Sequence, residues 1–177
     1  MGSRTVGRRW LLAGGALVGL LGAACGTIPG VHSQTGMAAQ SDLTNGLNVV
    51  AAQYAANNFS YEAVNAELLV TVAPEFSWTA DGPTVGAGFN AISVDSCADG
   101  RACQAILLAS YNRLGDHCWY GATANSGQAA SALGLPGEGT YYGLRRRPQT
   151  CSAGTEGHPT VPPSGWQTTF SLAESSG

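Results

Sequence analysis

Hydrophobic positions fall into three regimes along the chain. From Trp10 to about Ile28 they are nearly continuous, and no charged residue stands between Arg9 and Asp42. A run of this size is close to the roughly 20 residues that cross a bilayer as a helix. It is also compatible with a signal peptide, whose apolar region usually takes about 7–15 residues. After Pro29 the pattern thins to one face: Met37, Leu43, Leu47, Val50 and Tyr54 recur at helical spacings, and Asn57-Asn58 ends the series. The spacing predicts a helix from Trp10 to Ala56, kinked at Pro29 and about 70 Å long at 1.5 Å per residue.

Beyond Asn58 the period changes. A short helix is expected over Tyr61–Val70, stopped before Pro74. Strands are expected at Phe76–Thr79, Asn90–Cys97, Ala102–Asn112 and His117–Ala124. Asp81-Gly82-Pro83, Ala98–Arg101 and Arg113–Asp116 supply the turns. Together these predict an antiparallel meander with the long helix on one face, since each element must bury an apolar surface against another. One or two helical turns are expected at Gln128–Leu133 and an edge strand at Tyr141-Tyr142. The cluster Arg145-Arg146-Arg147 reads as a solvated loop, Gly154–Pro163 as irregular, and the end after Leu172 as frayed. The fold class is therefore α+β, a long N-terminal helix packed on a small antiparallel sheet. The chain divides into a basic leader (1–9), the long helix (10–57, with an apolar half 10–29 and an amphipathic half 30–57) and a globular head with a Gly/Pro-rich tail (58–177).

Charge sharpens this division. Only 11% of the 177 residues are charged, there is no lysine, and the net charge of -3 carries no nucleic-acid signature. Arg4, Arg8 and Arg9 precede the apolar run and every acidic residue follows it, a positive-inside arrangement that puts the remainder outside the cytoplasm. The cysteines agree with export. Cys25 lies in the apolar run, and Cys97, Cys103, Cys118 and Cys151 form an even set that suggests two disulfides. Four cysteines allow three connectivities. Cys97 and Cys103 flank a hairpin turn, which favours their pairing and leaves Cys118 for Cys151. A zinc set of Cys97, Cys103, His117 and Cys118 is the competing reading, disfavoured by its wide cysteine spacing and adjacent His-Cys. No metal or cofactor is expected.

The segment at the start admits several fates. Arg8-Arg9-Trp10-Leu11-Leu12 looks like a twin-arginine signal, with Gly22-Ala23-Ala24 ahead of a cut. Leu21–Cys25 looks like a lipoprotein box, with Gly22 where Leu usually stands. Retention as a helix is favoured by two small-xxx-small pairs, Gly15/Gly19 and Gly22/Gly26, which let apolar helices approach closely. Catalytic signatures are missing: no G-x-S-x-G, no P-loop, no H-E-x-x-H, and Gly86-Ala87-Gly88 lacks the third glycine of a dinucleotide loop. The chain is not expected to be an enzyme.

In order along the chain, Ile28-Pro29, Ala38–Leu47 with its Ser-Asp-Leu-x-Asn run, Ala51–Asn58, Glu75–Trp78, His117–Tyr120, Gly139–Gly143, Cys151 and Gly165-Trp166 resemble the markers of type IV pilins and pilin-like proteins of high-GC Gram-positive bacteria. The resemblance covers most of residues 7–170. It implies a structural subunit of a surface filament, or a pilin-like envelope protein. Such a subunit is held in the membrane by its N-terminal helix, with the head outside and other pilin-like subunits as partners. Gly7 stands where the family's leader is cut, but Arg8 and Arg9 follow it, and Leu12 stands where the family carries Glu. The alternative is an exported or lipid-anchored binding module with its leader removed at Ala24 or Cys25.

Overall fold

The computed structural model describes residues 31–154 and 165–170, apart from 81, 83, 101 and 115, and gives only the backbone of 31–36. In chain order the elements are α1 (Val31–Ala56), α2 (Ala66–Val72), β1 (Ser77–Ala80), β2 (Ala91–Asp95), β3 (Ala105–Asn112), β4 (His117–Ala124), α3 (Gly127–Ala132) and β5 (Gly139–Arg146). The five strands form one sheet in sequence order. The α+β class is thus observed, with helices on a mostly antiparallel sheet. No helix among the described residues is long and apolar enough to cross a membrane; the half-helix expected over 10–29 lies outside the described residues.

The 26 residues of α1 lie along β3 and β4. Its buried stripe is Ala39, Leu43, Gly46, Leu47 and Val50, successive turns of a 3.6-residue helix. Met37, expected on this face, is instead 61% exposed, because Ala39 takes the contact one turn before Leu43. Two glycines set how closely the helix approaches. A Cβ on Gly46 would stand 3.0 Å from the Ile92 Cδ1 and 3.2 Å from the Leu108 Cδ1, and one on Gly121 of β4 would stand 2.9 Å from the Leu47 Cδ1. Small residues at both points let α1 seat on the strands. The helix ends where Asn58 and Phe59 adopt positive φ, 55° and 58°, and the Phe59 amide turns back to the Tyr54 carbonyl, a Schellman-type closure.

The inner strands β3 and β4 divide their side chains between two cores, as a period of two requires. Ile106, Leu108 and Trp119 join the α1 stripe, Tyr61, Val64, Leu69, Trp78 and Ile92 in one core. Ala105, Leu107, Ala109, Cys118, Tyr120 and Ala122 join α3, Leu133, Leu135, Cys151 and Ala153 in the other. The central strand β3 is therefore apolar on both faces. The sheet is covered twice, by α1 on one side and by the chain after β4 on the other.

Four expectations need correction. The first pair of strands is parallel, with Ser77 opposite Ala91, so the sheet is a meander only from β2 onward. The second helix starts at Ala66, where the Asn65 side chain caps the Leu68 amide; Tyr61 and Val64 are used instead as buried loop anchors. β2 stops at Asp95 and β3 starts at Ala105, because the Cys97–Cys103 segment forms turns, with Gly100 N–H bonded to the Cys97 carbonyl. Finally, β5 is an eight-residue strand that takes in Arg145 and Arg146, and so the basic cluster is part of the sheet edge rather than a loop.

Candidate functional site

The register of the sheet gives the head two distinct ends. The last residues of β3 lie beside the start of α1, and the first residues of β3 lie beside its end. At the end where α1 finishes, Cys97 is disulfide-bonded to Cys103, and Gln104 knits the chain together. Its side chain accepts from the Tyr54 hydroxyl at 2.7 Å and donates to the Phe59 carbonyl at 3.0 Å, while its amide donates to the Asp99 carboxylate. Tyr61 N–H bonds the Cys103 carbonyl and the Tyr61 hydroxyl accepts from Asn125.

The end where α1 begins is built differently. Four elements converge there: the first turns of α1, the segment Thr84–Asn90 before β2, the β3–β4 turn and the end of β5. The first three line an open cleft of 170 Å³, with Ala38, Ala39 and Asp42 from α1, Gly86–Ala91 from the loop into β2, and Ser110–Leu114 from the end of β3 and its turn. Thr84 pins the first loop. It is buried, and both its amide and its hydroxyl donate to the Cys151 carbonyl, at 2.7 and 3.1 Å. Cys151 is itself bonded to Cys118 of β4, so the disulfide also fixes the base of this loop. Asn90 closes it with φ 59°, its carbonyl accepting from Ser77 N–H. The β3–β4 turn is held by the Asn112 side chain, which accepts from Leu114 N–H, and by the Tyr111 hydroxyl, which donates to Asp116 at 2.8 Å. The Asp116 carbonyl accepts from Arg147 N–H, joining this turn to β5.

Around the cleft the surface is both apolar and basic. Phe89 is 98% exposed and Leu114 65%, and Met37 and Val85 also face solvent. All four arginines among the described residues, Arg113, Arg145, Arg146 and Arg147, lie at this end. Asp42, on the cleft wall, has its carboxyl pushed above the ordinary value by burial. The Tyr111 phenol is also raised, first by the hydrogen bond to Asp116, then by burial and the negative charge of that carboxylate.

The predicted site residues separate cleanly. Cys97 pairs with Cys103 and Cys118 with Cys151, the connectivity that the hairpin argument favoured. Three of the four side chains of the competing zinc set are thus disulfide sulfurs and not thiolates. The cleavage candidates Gly7, Ala24 and Cys25, and the helix-packing positions Gly15, Gly19, Gly22, Gly26 and Pro29, lie outside the described residues. Sequence reasoning passed over Phe89 and Leu114. The only signal was Gly86-Ala87-Gly88-Phe89-Asn90, a glycine-bearing loop with an aromatic at its tip. Comparison with family models, with curated proteins and with solved structures returns no match for this chain.

Proposed function

We infer that this chain is a pilin-like structural protein of the cell envelope. The apolar segment before α1 anchors it, and its disulfide-bearing head lies outside the cytoplasm, available to join a type IV pilus-like filament with other such subunits. The observation that carries this reading is the continuity of the N-terminal pattern. The apolar run ends at Ile28, and from Val31 on the chain is a helix whose stripe is seated on a sheet of four consecutive antiparallel strands. Two disulfides in the head support an oxidising compartment. Burial of the apolar segment, first in lipid and then against neighbouring helices, would supply the driving force, with close approach at Gly15/Gly19 and Gly22/Gly26.

Leu12 in place of Glu, together with the Leu21–Cys25 box, favours a second reading, a lipid-anchored or secreted module starting at or after Cys25. Electron microscopy of surface fibres with an antibody to the head separates the two. Decorated fibres of regular repeat support the filament subunit. Uniform surface labelling with no fibres, in cells expressing the chain, contradicts polymerisation.

A further inference from the structure

We propose that the cleft end of the head is a membrane-contacting surface that docks on an anionic bilayer, with Phe89 and Leu114 entering the interface and the arginines meeting lipid phosphates. The proposal rests on the anchored reading above and adds to it a specific contact between head and lipid.

Three independent observations converge on one end of the molecule. The first is apolar exposure. The exposed large apolar side chains among the described residues are Met37, Phe59, Val70, Val72, Val85, Phe89 and Leu114. Met37, Val85, Phe89 and Leu114 belong to the elements around the cleft. A fully exposed phenylalanine on a loop that is pinned at its base by Thr84 is held out at a cost in apolar hydration. Lipid would remove that cost.

The second is charge. Arg113, Arg146 and Arg147 are exposed and Arg145 half-buried at this end, where the acidic residues among those described are Asp42 on the cleft wall, Asp116, which accepts from Tyr111, and Glu75, two positions before the Ser77 that pairs with Ala91. Glu62, Asp95, Asp99 and Glu138 lie toward the opposite end, placed there by the Tyr61–Cys103 contact and by the strand registers. Among the described residues, all the arginines gather at the cleft end, four against three carboxylates, and none stands at the opposite end, so the cleft end is the one that complements anionic headgroups.

The third is attachment. The apolar run stops at Ile28, three residues before Val31, which is already in α1. Three Cα steps span at most about 11 Å even when extended, and α1 rises about 9 Å more from Val31 to Met37. A bilayer holding the run thus lies within reach of the cleft end and on the far side of the head from Phe59. Arginine and aromatic side chains together at the edge of a membrane are the combination that settles at headgroup depth.

The test uses the full chain in nanodiscs, with Cys25→Ser leaving the engineered thiol as the one available for labelling. A nitroxide goes on Gly88→Cys, a position where a Cβ meets nothing within 4 Å, or on Glu62→Cys at the opposite end. Collision with a water-soluble nickel complex and with lipid-soluble oxygen is measured in phosphatidylcholine and in phosphatidylcholine with one-quarter phosphatidylglycerol. The expected result is nickel accessibility at least about threefold lower at position 88 than at 62 in the anionic discs. Arg113→Glu with Arg147→Glu should raise the value at 88 toward that at 62 while near-ultraviolet circular dichroism is unchanged. Equal accessibility at both positions, in chains that float with the lipid, overturns the docking but leaves the anchor standing. Failure of the chain to float overturns both. Protection at 88 that comes with dipolar broadening, and disappears on dilution with unlabelled chain, assigns the surface to a second copy and overturns the lipid proposal.

Discussion

Removing the Cys118–Cys151 disulfide should cost the head more than removing Cys97–Cys103, and the difference can be worked out from the chain. The two bridges close segments with sequence separations of 33 and 6. In the chain-entropy description, a bridge stabilises by restricting the unfolded chain, with a term that grows as the logarithm of loop length. That gives about 3.7 kcal/mol for the longer loop and about 2.2 kcal/mol for the shorter. Packing adds to the contrast. Cys118 and Cys151 are fully buried in the second core, and the backbone beside them is locked by Thr84 on the Cys151 carbonyl and by Ala153 N–H on the Ser93 hydroxyl. Urea unfolding of the full chain in mild detergent, followed by near-ultraviolet circular dichroism, compares Cys118→Ala/Cys151→Ala with Cys97→Ala/Cys103→Ala. The first pair should lose at least about 1.5 kcal/mol more than the second, with similar denaturant slopes. Hydrogen exchange at the Thr84 amide should accelerate in the first variant alone. An equal or larger loss in the second variant, or unchanged protection at Thr84, would refute the idea that the longer bridge fixes both the second face of the sheet and the cleft loop.

Three further outcomes follow from the packing of α1. Leu43 is fully buried between the helix and the sheet, so Leu43→Ala should cost about 2–5 kcal/mol in the same unfolding assay; a loss below about 1 kcal/mol would mean that α1 is not seated there. At Gly46, Ala gains about 1 kcal/mol of helix propensity but meets the Ile92 and Leu108 methyls at 3.0 and 3.2 Å. The net change for Gly46→Ala should be small, whereas Gly46→Leu should lose at least about 1–3 kcal/mol by overpacking. Asp42 keeps its proton to higher pH in the folded chain than in the unfolded one. The stability linked to that proton is fully present below the ordinary value of 3.8 and is lost as pH rises through the folded value. Asp42→Asn should therefore raise Tm at pH 7, with the gain closing below about pH 3.8; a gain that persists at pH 3 would exclude the carboxyl as its source.

Much of the fold was legible because its periods are strong. His117–Ala124 is a strand over its full predicted length, and Leu43, Leu47 and Val50 mark the buried face of α1. Disulfide pairing followed from a hairpin turn between Cys97 and Cys103. What escaped the pattern has physical causes. Whether β1 pairs parallel or antiparallel depends on the path of residues 81–90, which carry no periodic signal. Ala39 and Gly46 contribute to the helix–sheet contact through smallness rather than hydrophobicity. The second core is lined largely by alanines and by the segment Cys151–Ala153, which reads as loop because it pairs with no strand. The cleft end was hidden for a related reason. Its apolar side chains come from three separated segments, and only the register of the sheet brings them beside the arginines.

The N-terminus of the mature chain, measured by intact mass and peptide mapping on protein taken from native membranes, tests the anchored reading most directly. A start at Arg8 or earlier, with Trp10–Ile28 retained, is the predicted result. A start at or after Cys25, with or without lipid on that cysteine, would contradict a retained helix and leave a leaderless exported domain in its place.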